Sequence, residues 1–416
     1  MTNHSKPPSK AATTDLIHHP YQPPAQFSAP QPGVFKASSI FFPNVQAMRS
    51  SDWKDKSAFT YGLHGTPTAY TLEERLATLE GGKHTLLVTS GLAAIAVVGL
   101  ALLKSGDHIL LPDNVYGPSK GFAESELARY GVSVGYYQPL SATHCASQIQ
   151  PNTRLVWIEA AGSVSMEFPD VPALVQLCKD KGITSAIDNT WGAGLAFNVF
   201  DLDGDGSYRL GVDVSAHALT KYPSGGGDVL MGSITTRDLA LHKRLQATHM
   251  HMGFGVGVND VEMILRSLPS MSLRYHAHDA IARELAQFMA KQSPVVQVLH
   301  PALAGSPGHE NWVALCSGRT GPHGLAGSAA GIFSVVIDPR YSQAQIDQFC
   351  ESLQYFKLAY SWGGPISLVV PYKIDSMRSL PESSLKPGTV VRFSIGLEDV
   401  ADLQADLAQA LAKAFA

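Results

Sequence analysis

Lys221 follows a largely apolar run, Val212 to Leu219, and opens into Tyr222-Pro223-Ser224-Gly225-Gly226-Gly227. Upstream, Asp188 closes a second apolar run in Ala186-Ile187-Asp188-Asn189-Thr190-Trp191. Lysines mostly stay solvated, so one that closes a buried strand needs a reason. Burial depresses an amine's pKa, and an unprotonated amine can hold a carbonyl compound as a Schiff base. A carboxylate beside a pyridine ring keeps the ring nitrogen protonated and the ring a good electron sink. Together the two residues point to pyridoxal 5'-phosphate (PLP) and to chemistry on an amino acid. Each also has a plainer reading. Lys221 is then a surface lysine at a strand end, and Asp188 a helix cap or the anchor of a turn with Asn189 and Thr190.

Other residues could serve the same chemistry. In Ser90-Gly91-Leu92-Ala93-Ala94 the backbone N–H groups of Gly91 and Leu92 would point at a phosphate from a helix N-terminus, with the Thr220 hydroxyl beside them. An ordinary strand–helix turn reads the same way, and the Walker lysine pattern is absent. Tyr116, in Pro112-Asp113-Asn114-Val115-Tyr116-Gly117-Pro118, could stack on a flat ring or sit at the rim of a core. Arg392 lies in the alternating segment Val390-Val391-Arg392-Phe393-Ser394, where an inward guanidinium needs a carboxylate, either a substrate's or a structural partner's. The histidines show no metal-ligand spacing, so no metal is expected.

The elements that must position these residues alternate. Strands are expected at 85–88, 108–112, 155–158, 184–187, 212–220 and 229–235, with helices at 91–104, 120–130 and 171–181 between them. Such alternation predicts an α/β layer with a mainly parallel sheet, in which ligands bind beyond the carboxyl ends of the strands. Asp188 and Lys221 both fall at such ends. Residues 238–291 read as helical, with breaks near 253–257 and at Pro269. Residues 301–327 read as irregular, and 202–210 as an Asp- and Gly-rich loop. Strands follow at 331–337, 367–370 and 389–394. Val400, Leu403, Leu407 and Leu411 recur at helical spacing after Glu398-Asp399 and predict a final core-packed helix.

The chain has 416 residues, 45% of them hydrophobic, and a net charge of −4 with no basic cluster. That balance argues against a nucleic-acid partner or a basic membrane-binding face. Cys145, Cys178, Cys316 and Cys350 are scattered, which fits a reducing cytoplasm rather than a disulfide framework. The longest apolar run, 92–103, falls short of the roughly 20 residues of a membrane span. The Pro- and Ser-rich first 30 residues lack a signal-peptide core and read as a loose arm over about the first 15.

The order of these motifs is more telling than any one of them. Tyr61-Gly62-Leu63-His64-Gly65 is followed by Leu79-Glu80-Gly81-Gly82, Ser90-Gly91-Leu92-Ala93-Ala94, Tyr116-Gly117-Pro118, Asp188-Asn189-Thr190-Trp191 and Thr220-Lys221-Tyr222. Ser361-Trp362-Gly363-Gly364 and Arg392-Phe393-Ser394-Ile395-Gly396-Leu397-Glu398 close the series. It resembles the Cys/Met-metabolism PLP-dependent enzymes from about residue 15 to the C-terminus, most closely the cystathionine β-lyase branch. The resemblance implies fold type I (aspartate-aminotransferase-like), with a mainly parallel seven-stranded sheet in a large domain and a smaller α/β C-terminal domain. It places an N-terminal arm over 1–65, the PLP-binding domain over 66–270 and the small domain over 271–416.

It further implies β-elimination of L-cystathionine to homocysteine, pyruvate and ammonia in methionine biosynthesis. Lys221 would hold the cofactor and remove the Cα proton. Asp188 would pair with the ring nitrogen, Tyr116 would stack on the ring, and Gly91, Leu92 and Thr220 would bind its phosphate. Tyr61 would reach a neighbouring subunit's site in a homotetramer whose sites are shared across a dimer interface. Arg392 with Ser361 would hold the substrate carboxylate, and Trp362 tilts the choice towards β-cleavage. Rival readings are a γ-lyase, a γ-synthase, a broad cysteine-S-conjugate lyase, a non-catalytic PLP-binding protein and a PLP-free α/β binding protein. Four departures from the family pattern stand out. Leu63 replaces a phosphate-binding arginine, with His64 next to it as a weaker substitute. Ala218 replaces a serine, Pro365-Ile366 displaces a glutamate, and the 202–210 loop is extra.

Overall fold

Leu86, Val88, Ile109, Leu111, Leu155 and Trp157 belong to one buried cluster, whereas Leu87, Leu110, Val156, Ile158 and Ile187 belong to another. Successive strand residues point to opposite faces, so this alternation describes a sheet buried on both sides. The computed structural model describes residues 12–17, 26, 29–56, 58–318, 324–381 and 384–415. The sheet comprises β1 (His84–Val88), β2 (His108–Pro112), β3 (Ser133–Tyr137), β4 (Thr153–Glu159), β5 (Thr184–Asp188), β6 (Val214–His217) and β7 (Gly232–Thr236). Its order is β1-β7-β6-β5-β4-β2-β3. Only β7 runs against its neighbours; the other pairs are parallel. All strands except β7 therefore end at one edge.

Local sequence explains the punctuation between strands. Ser90 caps the helix Gly91–Leu102 by accepting from Ala93 N–H. Asp170 caps Val171–Lys181, with Pro172 at the start and Gly182 in the left-handed region at the end. The segment 202–210 is a series of turns, closed by Leu202 N–H donating to Leu210 O at 2.8 Å.

A second sheet holds β8 (Val295–Leu299), β9 (Ile332–Ile337), β10 (Lys357–Leu358), β11 (Leu368–Tyr372) and β12 (Thr389–Ser394), in the order β10-β11-β12-β9-β8. Only the β10–β11 pair is parallel. The final helix, Val400–Phe415, buries Leu403, Leu407 and Leu411 against this sheet's core.

Several expectations need correction. The strand expected over 212–220 ends at His217, which leaves Thr220 and Lys221 in the turn beyond it. The helix Val258–Met289 runs unbroken through Pro269. An interior proline costs about 3 kcal/mol, but Leu265, Leu268, Met271 and Tyr275 are all buried around it. At roughly 1.5–3 kcal/mol each, their burial outweighs that cost. The first half of this helix packs in the large-sheet core and its second half packs against the smaller sheet. Residues 309–316, expected to be irregular, form a helix. Strands β3 and β8 lie outside the expected set: both are edge strands, mostly half-buried with one fully buried residue each, and neither shows a clear apolar alternation.

Candidate active site

The carboxyl edge of the large sheet gathers the candidate residues. Glu159 ends β4, Asp188 ends β5, Lys221 lies in the turn after β6, and Gly91 begins the helix after β1. They line one cavity of about 580 Å³, together with Leu92, Tyr116, Thr220, Ser361, Trp362 and Arg392. Of the residues singled out from the sequence for cofactor or substrate, only Tyr61 lies outside this wall. It is exposed and forms a bridge with Ser39.

Lys221 Nζ donates to Ser361 Oγ at 3.0 Å and lies 5.8 Å from the centroid of the Trp362 ring. Burial pushes its pKa down to about 8; the Arg392 charge adds to this and Asp188 opposes it. An amine so placed gives up its proton far more readily than an exposed lysine does, as suits a nucleophile or a base. Ser361 has φ +99° and Gly363 φ +80°. A Cβ on Gly363 would come within 3.2 Å of Lys221 C, so this loop crosses the lysine backbone closely.

Asp188 and Glu159 are register partners on adjacent parallel strands. Burial raises the pKa of both. Asp188 is steadied as a carboxylate by Thr190 N–H, which donates to Oδ1 at 2.9 Å, and by the nearby His217 and Lys221. Glu159 is pushed further up by burial and by the Asp188 charge, which favours its neutral form. Glu159 Oε1 accepts Tyr116 N–H at 2.7 Å and so fixes the turn that carries the Tyr116 ring. Sequence reading missed Glu159, although it closes the apolar strand Leu155–Ile158 just as Asp188 closes its own.

Arg392 is 5% exposed on β12. Its Nη1 donates to Ser163 O at 3.0 Å, and its guanidinium carbon lies 5.2 Å from the Tyr372 ring centroid. Among the described residues no carboxylate pairs with it. A buried, unpaired guanidinium is costly, and a carboxylate entering the cavity would relieve that cost.

The walls also fit a phosphate. Ser90 Oγ and Ser90 O take the N–H groups of Ala93 and Ala94, which leaves those of Gly91 and Leu92 without an acceptor among the described residues. A Cβ on Gly91 would stand 2.5 Å from Ala218 Cβ, so only glycine lets the chains approach this closely. Thr220 Oγ1 is engaged loosely with Met231, donating to its O and accepting from its N–H, each at 3.3 Å. Leu63 packs against Gly255 and offers no charge. His64 Nδ1 is 2.7 Å from Thr60 Oγ1, and burial lowers its pKa.

The chain is similar to known proteins over nearly its whole length. Cystathionine beta-lyase of Bordetella avium is 34% identical over 385 residues, 91% of each chain. Cystathionine beta-lyase MetC of Escherichia coli is 33% identical over 380 residues, 90% of this chain and 91% of its own. The crystal structure of metB from Corynebacterium glutamicum superposes with a TM-score of 0.84 at 26% identity, covering 98% of this chain and 99% of that one. The model of the Cys/Met metabolism PLP-dependent enzymes matches residues 13–412. With a cavity that fits the cofactor and a match over most of its length, the chain belongs to the Cys/Met metabolism family of PLP-dependent enzymes.

Proposed function

We propose that this enzyme cleaves the Cβ–S bond of L-cystathionine, releasing homocysteine, pyruvate and ammonia. The observation that carries the reading is the cavity shared by Lys221, an amine with its pKa near 8, and Arg392, a buried guanidinium with no carboxylate partner among the described residues. One residue moves a proton and the other seats an α-carboxylate. The two relatives named as cystathionine beta-lyases support the choice of substrate.

PLP, when bound, supplies a sink for the electrons released as the Cα–H bond breaks. Gly91, Leu92 and Thr220 would hold its phosphate, Tyr116 its ring face and Asp188 its ring nitrogen. Arg392, with Ser361, orients the substrate by its carboxylate. Lys221 takes the Cα proton. The Cβ–S bond then breaks, and the sulfur leaves as a thiol once protonated. Tyr116, whose hydroxyl burial and neighbouring carboxylates keep protonated, is suited to attend that transfer. The released enamine hydrolyses to pyruvate and ammonia. Trp362 lies beside Lys221, where its ring would shield one side of the amine from water.

Tyr61 is exposed and outside the cavity, so its role is assigned to a neighbouring subunit's site, within a homotetramer of shared active sites. An arm over 1–65, a PLP domain over 66–270 and a small domain over 271–416 complete the proposed organisation, in a cytoplasmic enzyme. Among the described residues no helix is long and apolar enough to cross a membrane.

Product analysis tests the reading. Pyruvate with homocysteine marks β-cleavage. 2-Oxobutyrate with cysteine would mark a γ-lyase, and exchange of the Cα hydrogen without a keto acid would rule out a lyase.

A further inference from the structure

Arg378 lies outside the cavity, yet it joins three segments that form the cavity wall. Its Nη2 donates to Glu167 Oε2 at 2.6 Å, and its Nη1 lies 3.9 Å from Asp113 Oδ2. All three side chains are buried, at 8%, 3% and 0% exposure.

Asp113 and Asn114 begin the turn that carries Tyr116. Asp113 Oδ1 accepts Ser379 N–H at 2.6 Å, and Asn114 Nδ2 donates to Glu167 Oε2 at 3.1 Å. Glu167 lies four residues beyond Ser163 in the loop between β4 and the helix Val171–Lys181, and the Ser163 carbonyl accepts from Arg392. The same Glu167 accepts Ser165 Oγ at 2.7 Å and also Ser384 Oγ. Between Arg378 and the cavity stands Met377, whose carbonyl accepts Lys120 Nζ at 3.1 Å. Lys120 also donates to Ser379 Oγ at 2.6 Å.

Tyr116, Ser163 and Met377 all line the cavity, and each is one to three residues from a member of this network. A buried ion network of this kind contributes little net stability, because desolvation offsets the attraction. Its parts do depend on one another: removing one charge strands the others in a low dielectric.

We propose that Arg378 is a positioning residue. By bridging Asp113 and Glu167 it locks together the segments that bear Tyr116, Ser163 and Met377, and through Ser163 it sets the aim of Arg392 at the substrate carboxylate. The proposal rests on the reading of the cavity as an amino-acid site. Its consequence is specific: loss of Arg378 loosens substrate binding more than it slows the bond-breaking steps.

The test uses the PLP-loaded enzyme and its R378M and R378K variants. Lysine keeps the charge but lacks the fork that spans two carboxylates, so both variants break the bridge, and R378K carries the test if R378M does not fold. The expected result is a KM for the amino-acid substrate raised about tenfold with kcat within about threefold of wild type. The absorbance of the bound cofactor is retained, and amide hydrogen exchange rises together in 113–118, 162–167 and 374–381. An unchanged KM, or faster exchange confined to 374–381, would overturn the proposal. A wild-type enzyme that forms no keto acid would count against the lyase reading instead, while the exchange comparison still decides the role of Arg378.

Discussion

Lys221 Nζ and Ser361 Oγ meet at 3.0 Å across 140 residues of chain, and Ser361 reaches this contact only by adopting φ +99°. A non-glycine residue in that region is strained by about 1 kcal/mol or more, and such strain concentrates at functional sites. Stability and activity should therefore separate here. Ser361→Gly is expected to raise unfolding stability by up to about 1 kcal/mol and yet lower kcat/KM roughly tenfold, since the hydrogen bond to the amine is lost. Thermal unfolding and steady-state kinetics on one preparation check both signs.

The amine itself predicts a pH dependence. Its pKa falls from 10.5 to about 8 on folding, so between those values the unfolded chain binds more protons than the native one. Stability therefore rises with pH across that window, and the penalty is fully present below pH 8. At about 1.4 kcal/mol per unit, the cost is roughly 3 kcal/mol. Apo Lys221→Met should be more stable than apo wild type by an amount of that order at pH 7. Denaturant titrations should show the difference closing by about pH 10.5.

Asp188 and Glu159 face the same cavity, and their substitutions should differ. Asp188→Asn removes a charge that Thr190, His217 and Lys221 all support, and activity should fall by a hundredfold or more, about 3 kcal/mol. Burial and the Asp188 charge push the Glu159 pKa upward, and its side chain accepts the hydrogen bond from Tyr116 N–H. Glu159→Gln preserves an acceptor and should stay within about threefold of wild type. Turnover and cofactor affinity, measured for both variants, would contradict this if Glu159→Gln proved the more damaging.

Arg392 is 5% exposed, with the Ser163 carbonyl accepting from it and the Tyr372 ring nearby, and among the described residues no carboxylate pairs with it. Arg392→Leu should cost about 2–5 kcal/mol in kcat/KM, as truncating one partner of a buried charge pair does. The same change should leave stability unchanged or improved, because a buried unpaired cation is removed. Arg392→Lys should rescue little, since lysine lacks the bidentate fork. Isothermal binding of an unreactive amino acid, set beside unfolding midpoints, tests both halves.

Much of this architecture is legible in the residues because local signals agree. Asp188 and Lys221 follow apolar runs, glycines mark the turns, and the Leu403–Leu411 stripe has the period of its helix. What stayed hidden depends on long-range packing. The continuous helix through Pro269 is sustained by a core that no window of sequence displays. Glu159 follows the same rule as Asp188, yet its role appears only when β4 and β5 pair. Arg378 carries no local motif at all; its meaning comes from Asp113 and Glu167, both more than 200 residues away in the chain.

The central claim is that Lys221 moves the proton that starts carbon–sulfur cleavage. The direct measurement incubates PLP-loaded wild type and Lys221→Ala with L-cystathionine and quantifies pyruvate and homocysteine over time. Wild type should yield the two in equal amounts, and Lys221→Ala should yield less than about a thousandth of either, a loss typical of removing the base of a proton transfer. Near wild-type pyruvate from Lys221→Ala would contradict the account.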